Sequence, residues 1–245
     1  MGLFSRKTPE EKFMEKCSKG DELFQRKRYD EALEKFLESE EITKKAEWVH
    51  LTMLSKMFCN MSECYYHIAH EMMDAQNKRA IESGFDPKST MTMDLSSKQD
   101  PTQEIFLKGL AYCDKALDTL TSPQAWFWKG NLLEKIHRYQ VNQFHLLING
   151  VQEIPTRTKD AIECYEKAVR LDPTFQGGWF QLAMVLNVEK EFEKSIECYD
   201  KVIKINPDSD VAKVSWNNMG CAYDILCNRE EADKCYANAK EFDST

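Results

Sequence analysis

Cys64, His67, His70 and Glu71 are the residues of this 245-residue chain whose types and spacing come nearest to holding a metal ion. Cys64 to His67 and His67 to His70 span one helical turn each and Cys64 to Glu71 spans two, so a helix would bring a thiolate, two imidazoles and a carboxylate toward one side, a donor set that zinc accepts. Zinc sites usually draw ligands from more than one element, however, and His67-x-x-His70-Glu71 is neither the His-Glu-x-x-His nor the His-x-x-Glu-His protease pattern. A polar helix face is the expected reading, and a metal-binding protein at Cys64, His67 and His70 ranks last. Other chemistry has less to stand on: the sequence has no Gly-rich phosphate loop, no Gly-x-Ser-x-Gly elbow and no carboxylate pair distinct from ordinary helix-surface acids. Gly177-Gly178 could present N–H groups to an anion at a helix start, though a Gly pair there more often lets a turn close tightly. The expectation is a non-enzyme with no catalytic residue, no metal and no cofactor.

The nine cysteines are odd in number and form no Cys-x-x-Cys. Their placement is more informative. Glu163-Cys164-Tyr165 returns after 34 residues as Glu197-Cys198-Tyr199 and nearly returns, 37 residues later, as Lys234-Cys235-Tyr236. Thiols held at one repeat position read as small apolar packing residues kept reduced, as in a cytoplasmic protein, rather than as a disulfide framework.

The flanks of these triplets repeat as well. Trp179, Leu182, Ala183 and Leu186 precede Cys198, and Trp216, Met219, Gly220 and Tyr223 precede Cys235, so a Trp, a Leu or Met, a small residue and a large one recur at the spacing of one helix face. Sixteen residues after each Trp stand Ser195 and Ala232, then Tyr199 and Tyr236, then Val202 and Ala239. A period near 34 in a helical pattern signals a hairpin repeat, since one hairpin cannot bury such a surface alone. The prolines agree: Pro9 and Pro101 fall just inside helix starts, Pro123 between hairpins, and Pro173 and Pro207 after helix ends.

With this pattern the chain resembles the tetratricopeptide-repeat family, whose signature is W, L-G, Y, A, F/Y, A, P. The resemblance implies an all-α, right-handed superhelical solenoid. It reaches Gly20, Leu23, Tyr29, Ala32 and Phe36 in a first unit. In a second it takes Phe58, Met61, Ser62 and Tyr65, followed by Gly109, Cys113 and Ala116, and in a third Trp126, Gly130 and Leu133, followed by Ala161, Tyr165 and Ala168. Five units are expected, over residues 13–46, 47–121, 123–174, 176–208 and 213–245, in one domain spanning 1–245, with insertions at 83–101 and 139–157. The packing positions Trp179, Trp216, Tyr165 and Tyr199 should be largely buried.

Composition limits the partners. A net charge of −8 with charges mixed along helices, as in Asp30-Glu31…Glu34-Lys35, argues against nucleic acid, and the basic runs around Arg26-Lys27-Arg28 and Lys44-Lys45 are short. No apolar stretch approaches a membrane span and the N-terminus lacks a signal core, so no membrane partner and a cytoplasmic location are expected. Arg6 stands where a myristoylation motif needs Ser or Thr.

What the resemblance implies for binding is a concave groove lined by the first helix of each pair. Carried over unit by unit, it names Met14, Cys17, Asp21 and Phe24, then Lys56 and Tyr66, then Phe127 and Asn131, then Phe180, Met184 and Asn187, and last Asn217 and Asp224. Some family members grip chaperone C-terminal carboxylates with two Lys, two Asn and an Arg. Here Cys17, Asp21, Gln124 and Trp128 occupy four of those five positions and only Asn60 matches, so that clamp is disfavoured and Asn60 reads as a packing hydrogen bond. The expected function is a scaffold that binds a partner peptide or helix. The rival is a self-associating or co-chaperone-like factor in which residues 139–157, carrying Phe144, Leu147 and Ile148, form a homodimer contact or plug the groove.

Overall fold

A computed structural model describes residues 7–44, 50–82, 101–147 and 158–241 of the chain, and all of their regular structure is helical. The helices divide into two compact units, Met1–Thr156 and Arg157–Thr245. The first contains α1 (Pro9–Gln25), α2 (Tyr29–Thr43), α3 (Leu51–Glu82), α4 (Pro101–Thr119) and α5 (Pro123–Leu147). The second contains α6 (Thr158–Leu171), α7 (Gln176–Val188), α8 (Phe192–Ile205), α9 (Asp210–Ile225) and α10 (Arg229–Glu241).

The expected punctuation is where the helices start and stop. Pro9, Pro101 and Pro123 are each the first helical residue, where a missing N–H costs nothing. The start of α1 is also locked by Thr8, whose hydroxyl accepts from Glu11 N–H while the Glu11 carboxylate accepts from Thr8 N–H.

Three hairpins, α1–α2, α7–α8 and α9–α10, turn in the same way. Lys27, Lys190 and Cys227 adopt the left-handed region with φ of 59°, 65° and 58°. In each, the next residue's N–H reaches back to the helix: Arg28 to Leu23 O at 3.0 Å, Glu191 to Leu186 O at 2.9 Å, and Asn228 to Tyr223 O at 2.9 Å. This is the Schellman closure, which satisfies carbonyls that the helix end would otherwise orphan. Glycine is the residue that fits such a turn without penalty, yet two lysines and a cysteine occupy it.

Within the first unit the core is Phe13, Cys17, Leu23, Phe36, Met57, Phe58, Met61 and Cys64, continuing into Phe106, Cys113, Leu132 and Ile136. Within the second, Tyr165 and Tyr199 are fully buried, as expected, together with Leu182, Val202, Ala222 and Ala232. Trp179 and Trp216 are half-buried, and the Trp179 indole N–H donates to Pro173 O at 3.0 Å.

Two observations bear on the expected units. Residues 139–147, assigned to an insertion, continue α5 as helix. The third expected repeat is shared between the two units, its Trp126, Gly130 and Leu133 lying on α5 of the first and its Ala161, Tyr165 and Ala168 on α6 of the second. Phe144 and Leu147 lie in that helical extension without described side chains. Residues 83–100, 148–157 and 1–6, with the loop, groove-plug and myristoylation readings placed on them, lie outside the described residues.

Candidate functional site

The first helices of each pair carry the candidate binding faces, and each unit has its own. In the first unit, α1 and α3 meet through Asp21, whose carboxylate accepts from Lys56 Nζ at 2.6 Å and from Asn60 Nδ2 at 2.8 Å. Asn60 is therefore a helix-to-helix bond, as its lone match to the clamp pattern suggested. Asp21 and Lys56 are juxtaposed as expected but neutralise each other.

Beside this pair runs an aromatic row. Phe24 packs edge-on to Tyr29 at 5.9 Å, and Tyr29 stacks on His67 at 4.2 Å with the rings 9° from parallel. Tyr66 meets Trp128 at 5.3 Å, Trp128 meets Phe127 at 5.2 Å, and the Lys135 ammonium stands 5.9 Å from the Tyr66 ring. All of these rings are half-buried, so each leaves an edge or face open. Of the other residues named for this face, Met14 is exposed at 44%. Cys17 and Asn131 are not available: they are 2% and 6% exposed, and the Cys17 thiol points at Met57 Sδ, 3.5 Å away. A short side chain on the core edge of a helix face turns inward, and burial pushes the Cys17 thiol up to about 11.

In the second unit the row is apolar. Phe180, Met184 and Val188 follow one another at four-residue spacing on α7, with Val188 64% exposed and Met184 37%. Across from them α9 presents Val214, Asn217 and Ile225, all exposed. Met184 Sδ joins the two helices, accepting from Asn218 Nδ2 at 3.3 Å and from Tyr199 OH at 3.4 Å. Asn187 is half-buried, and its Oδ1 is enclosed with no protein partner among the described residues. Asp224 is occupied: it accepts from Tyr236 OH at 2.8 Å and pairs with Arg229 at 3.5 Å. These partners were not legible from α9 alone, because Tyr236 and Arg229 both come from α10, the other arm of the hairpin.

The metal candidate does not assemble. Cys64 is fully buried and burial raises its thiol, while His67 lies over Tyr29 and His70 turns to Asp74 at 3.1 Å. No group of three His, Cys, Asp or Glu able to hold a metal occurs among the described residues. The Gly177-Gly178 pair closes a turn: the Gly178 N–H donates to Phe175 O at 3.0 Å, and a Cβ at Gly178 would stand 3.0 Å from both Phe175 and Val169. Cys164, Cys198 and Cys235 are buried thiols, and burial pushes Cys198 to about 12 and Cys235 to about 11. Thiols kept protonated in this way are poor nucleophiles. No described helix is long and apolar enough to cross a membrane.

Comparison with known proteins adds to this geometry. Tetratricopeptide-repeat family models match residues 178–209, and 156–175 with 214–245. Among solved structures, MamA is similar at 16% identity with a TM-score of 0.57, covering 96% of this chain and 93% of that one. A MamA fragment from Desulfovibrio magneticus RS-1 gives 14% and 0.58, over 95% and 96% of the two chains. YrrB, whose structure is described as a TPR protein with an unusual peptide-binding site, gives 14% and 0.54, over 93% and 84%. Compared with curated proteins by sequence, the chain matches none.

Proposed function

This chain is a tetratricopeptide-repeat protein, and we propose that it is a non-catalytic interaction module whose first-helix faces bind a peptide or helix of a partner protein. The observation that carries this reading is the apolar strip of the second unit. Val188, Ile225, Val214 and Met184 are 64%, 57%, 45% and 37% exposed on two adjacent helices, with Asn217 and Asn187 set among them. Large apolar side chains in water forgo about 1.5 to 3 kcal/mol each when fully exposed, and a strip of them at helical spacing is the surface that an apolar-anchored peptide would cover. Amides between the anchors suit a polypeptide backbone, which brings both donors and acceptors. In the first unit, Phe24, Tyr66 and Phe127 with Trp128 offer a parallel aromatic ledge for the same kind of partner. That YrrB is described by a peptide-binding site is consistent with this role.

Selection of displayed peptides on the full chain tests the reading. Peptides with apolar anchors should be enriched, and Met184→Glu with Val188→Glu should abolish their binding while leaving the helical signal unchanged. Enriched peptides that bind the double variant as tightly as the parent would show that the strip is not the site.

A further inference from the structure

We propose that a cleft between α8, α9 and α10 binds the guanidinium of an arginine presented by a partner polypeptide. The cleft has a volume of about 430 Å³. That lies within the range of built ligand sites, roughly 300–1,000 Å³. Its α9 wall is aromatic, with Trp216 and Tyr223 both half-buried, and the walls from α8 and α10 bring Glu197, Asp200 and Glu231 against one lysine, Lys234. A planar cation stacked on an indole or phenol while a carboxylate accepts its N–H groups is the arrangement that favours Arg over Lys.

The preceding repeat shows why acids outnumber lysines in this lining. The same register places Glu163 and Glu166 of α6 at the positions of Glu197 and Asp200, and Lys194 and Lys201 of α8 at the positions of Glu231 and Asn238. There the Lys194 ammonium is bonded to Glu191, and Glu166 of the facing helix also acts on it through space. In the last repeat one of those lysines has become Glu231 and the other Asn238. Tyr223 also replaces Leu186, which is 5% exposed, so a half-buried aromatic ring stands where the preceding repeat has a buried aliphatic side chain. The cations that remain are engaged locally: Lys234 donates to Glu230 at 2.9 Å and to Glu231 at 2.7 Å, and Lys204 donates to Asp200 at 2.6 Å. Glu197 is exposed, acts through space on Lys194, and is in no ion pair among the described residues. An arginine supplied from outside would return positive charge to a face where Glu231 and Asn238 stand in place of two lysines.

The cleft uses the α9 face of Trp216, Met219 and Tyr223, whereas the apolar strip uses Val214, Asn217 and Ile225, so the two sites can fail separately. The test is titration of the ¹⁵N-labelled full chain with N-acetyl-arginine methylamide, followed at the Trp216 indole resonance, which a Trp216→Phe spectrum assigns. A saturable shift is expected with the arginine amide and none with its uncharged citrulline analogue. The double variant Glu231→Lys, Asn238→Lys, which copies the preceding repeat, should lose the shift, and Glu197→Gln should weaken binding at least about tenfold. The same spectra report whether each variant is folded. No saturable shift, an equal shift with citrulline, or undiminished binding in the folded variants would overturn the proposal.

Discussion

A Cβ atom placed on Gly20 would stand 2.5 Å from Cε1 of Phe36, and sixteen residues separate these two positions, as they separate Gly220 from Tyr236. In the second pair the distance is 2.6 Å. The recurrence ties a sequence period to a packing fact: each small residue on a first helix is the floor on which the aromatic of its second helix lies. Ala183 and Tyr199 hold the same two positions in the hairpin between, both fully buried, with one methyl group fitted beneath the ring.

The first prediction follows from that contact. Phe36 is fully buried, so its ring has no room to retreat from a larger neighbour. Gly20→Val should destabilise the protein by about 3 kcal/mol, at the upper end for an overpacked core. Shrinking the ring with Phe36→Leu should recover at least about 1 kcal/mol of that loss in the double variant, as expected for residues in contact. Urea unfolding of the four chains gives the coupling directly, and additive effects would show that the two residues do not touch.

The hairpin turns predict a change of opposite sign. Lys27 and Lys190 pay for a left-handed backbone that glycine adopts freely, with φ of 59° and 65°. Lys190→Gly should therefore raise stability by about 0.5–1 kcal/mol despite the extra freedom it gives the unfolded chain. Four residues on, Lys194 is inside α8, and there the same substitution should cost about 1 kcal/mol. Thermal unfolding of the two variants should move the midpoint in opposite directions. A loss in both would mean that the turn is not under strain.

The hairpins, their caps and the buried tyrosines were legible because they depend on residues close in sequence. Pro9, Pro101 and Pro123 mark helix starts by local chemistry, and Tyr165 and Tyr199 follow a period that the eye can count. What the sequence did not disclose are pairings fixed by how hairpins stack. Lys56 and Asn60 converge on Asp21 from 35 and 39 residues away, and this removes Asp21 as a free groove acid. Cys17 occupies a position that the family pattern assigns to the groove, yet a small apolar side chain gains more by turning to Met57 than by facing water. Trp179 and Trp216 carry the strongest pattern signal and are half-buried, and the Trp179 indole N–H has a partner, Pro173 O, that the pattern did not name.

A third long-range grouping supports a further prediction. Glu40 has a side chain only 10% exposed and accepts from Lys115 Nζ at 2.6 Å and from Tyr112 OH at 2.7 Å, across 75 and 72 residues. The Lys115 ammonium also stands 4.2 Å from the Tyr112 ring, and burial followed by the Glu40 carboxylate holds the Tyr112 phenol well above its usual range. Replacing Lys115 by Met leaves an enclosed carboxylate with one neutral donor, and should cost about 1–3 kcal/mol. Adding Glu40→Gln to that variant should recover most of the loss, since an amide still accepts from Tyr112 without a charge to balance. Denaturation midpoints of the single and double variants check this, and a Lys115→Met chain as stable as the parent would place Glu40 in contact with water.

The thiols give the protein a defined response to alkaline pH. Burial pushes Cys17 and Cys235 to about 11 and Cys198 to about 12, above the ordinary value of 9.0 that each regains on unfolding. A raised folded value means that the native state keeps the proton which the unfolded state loses. The contribution to stability is therefore complete below pH 9 and is lost as pH rises from 9 through 11 to 12. Unfolding free energy should fall over that window, and Cys198→Ala should flatten the fall there while leaving the profile below pH 8 parallel to the parent's. At pH 8 a chromogenic disulfide should modify Cys221 and Cys227, which are exposed, well before the seven buried thiols, and those seven should react only as fast as the protein unfolds. Rapid modification of all nine in the folded protein, or a stability profile that Cys198→Ala leaves unchanged above pH 9, would show that these sulfur atoms are not in the core.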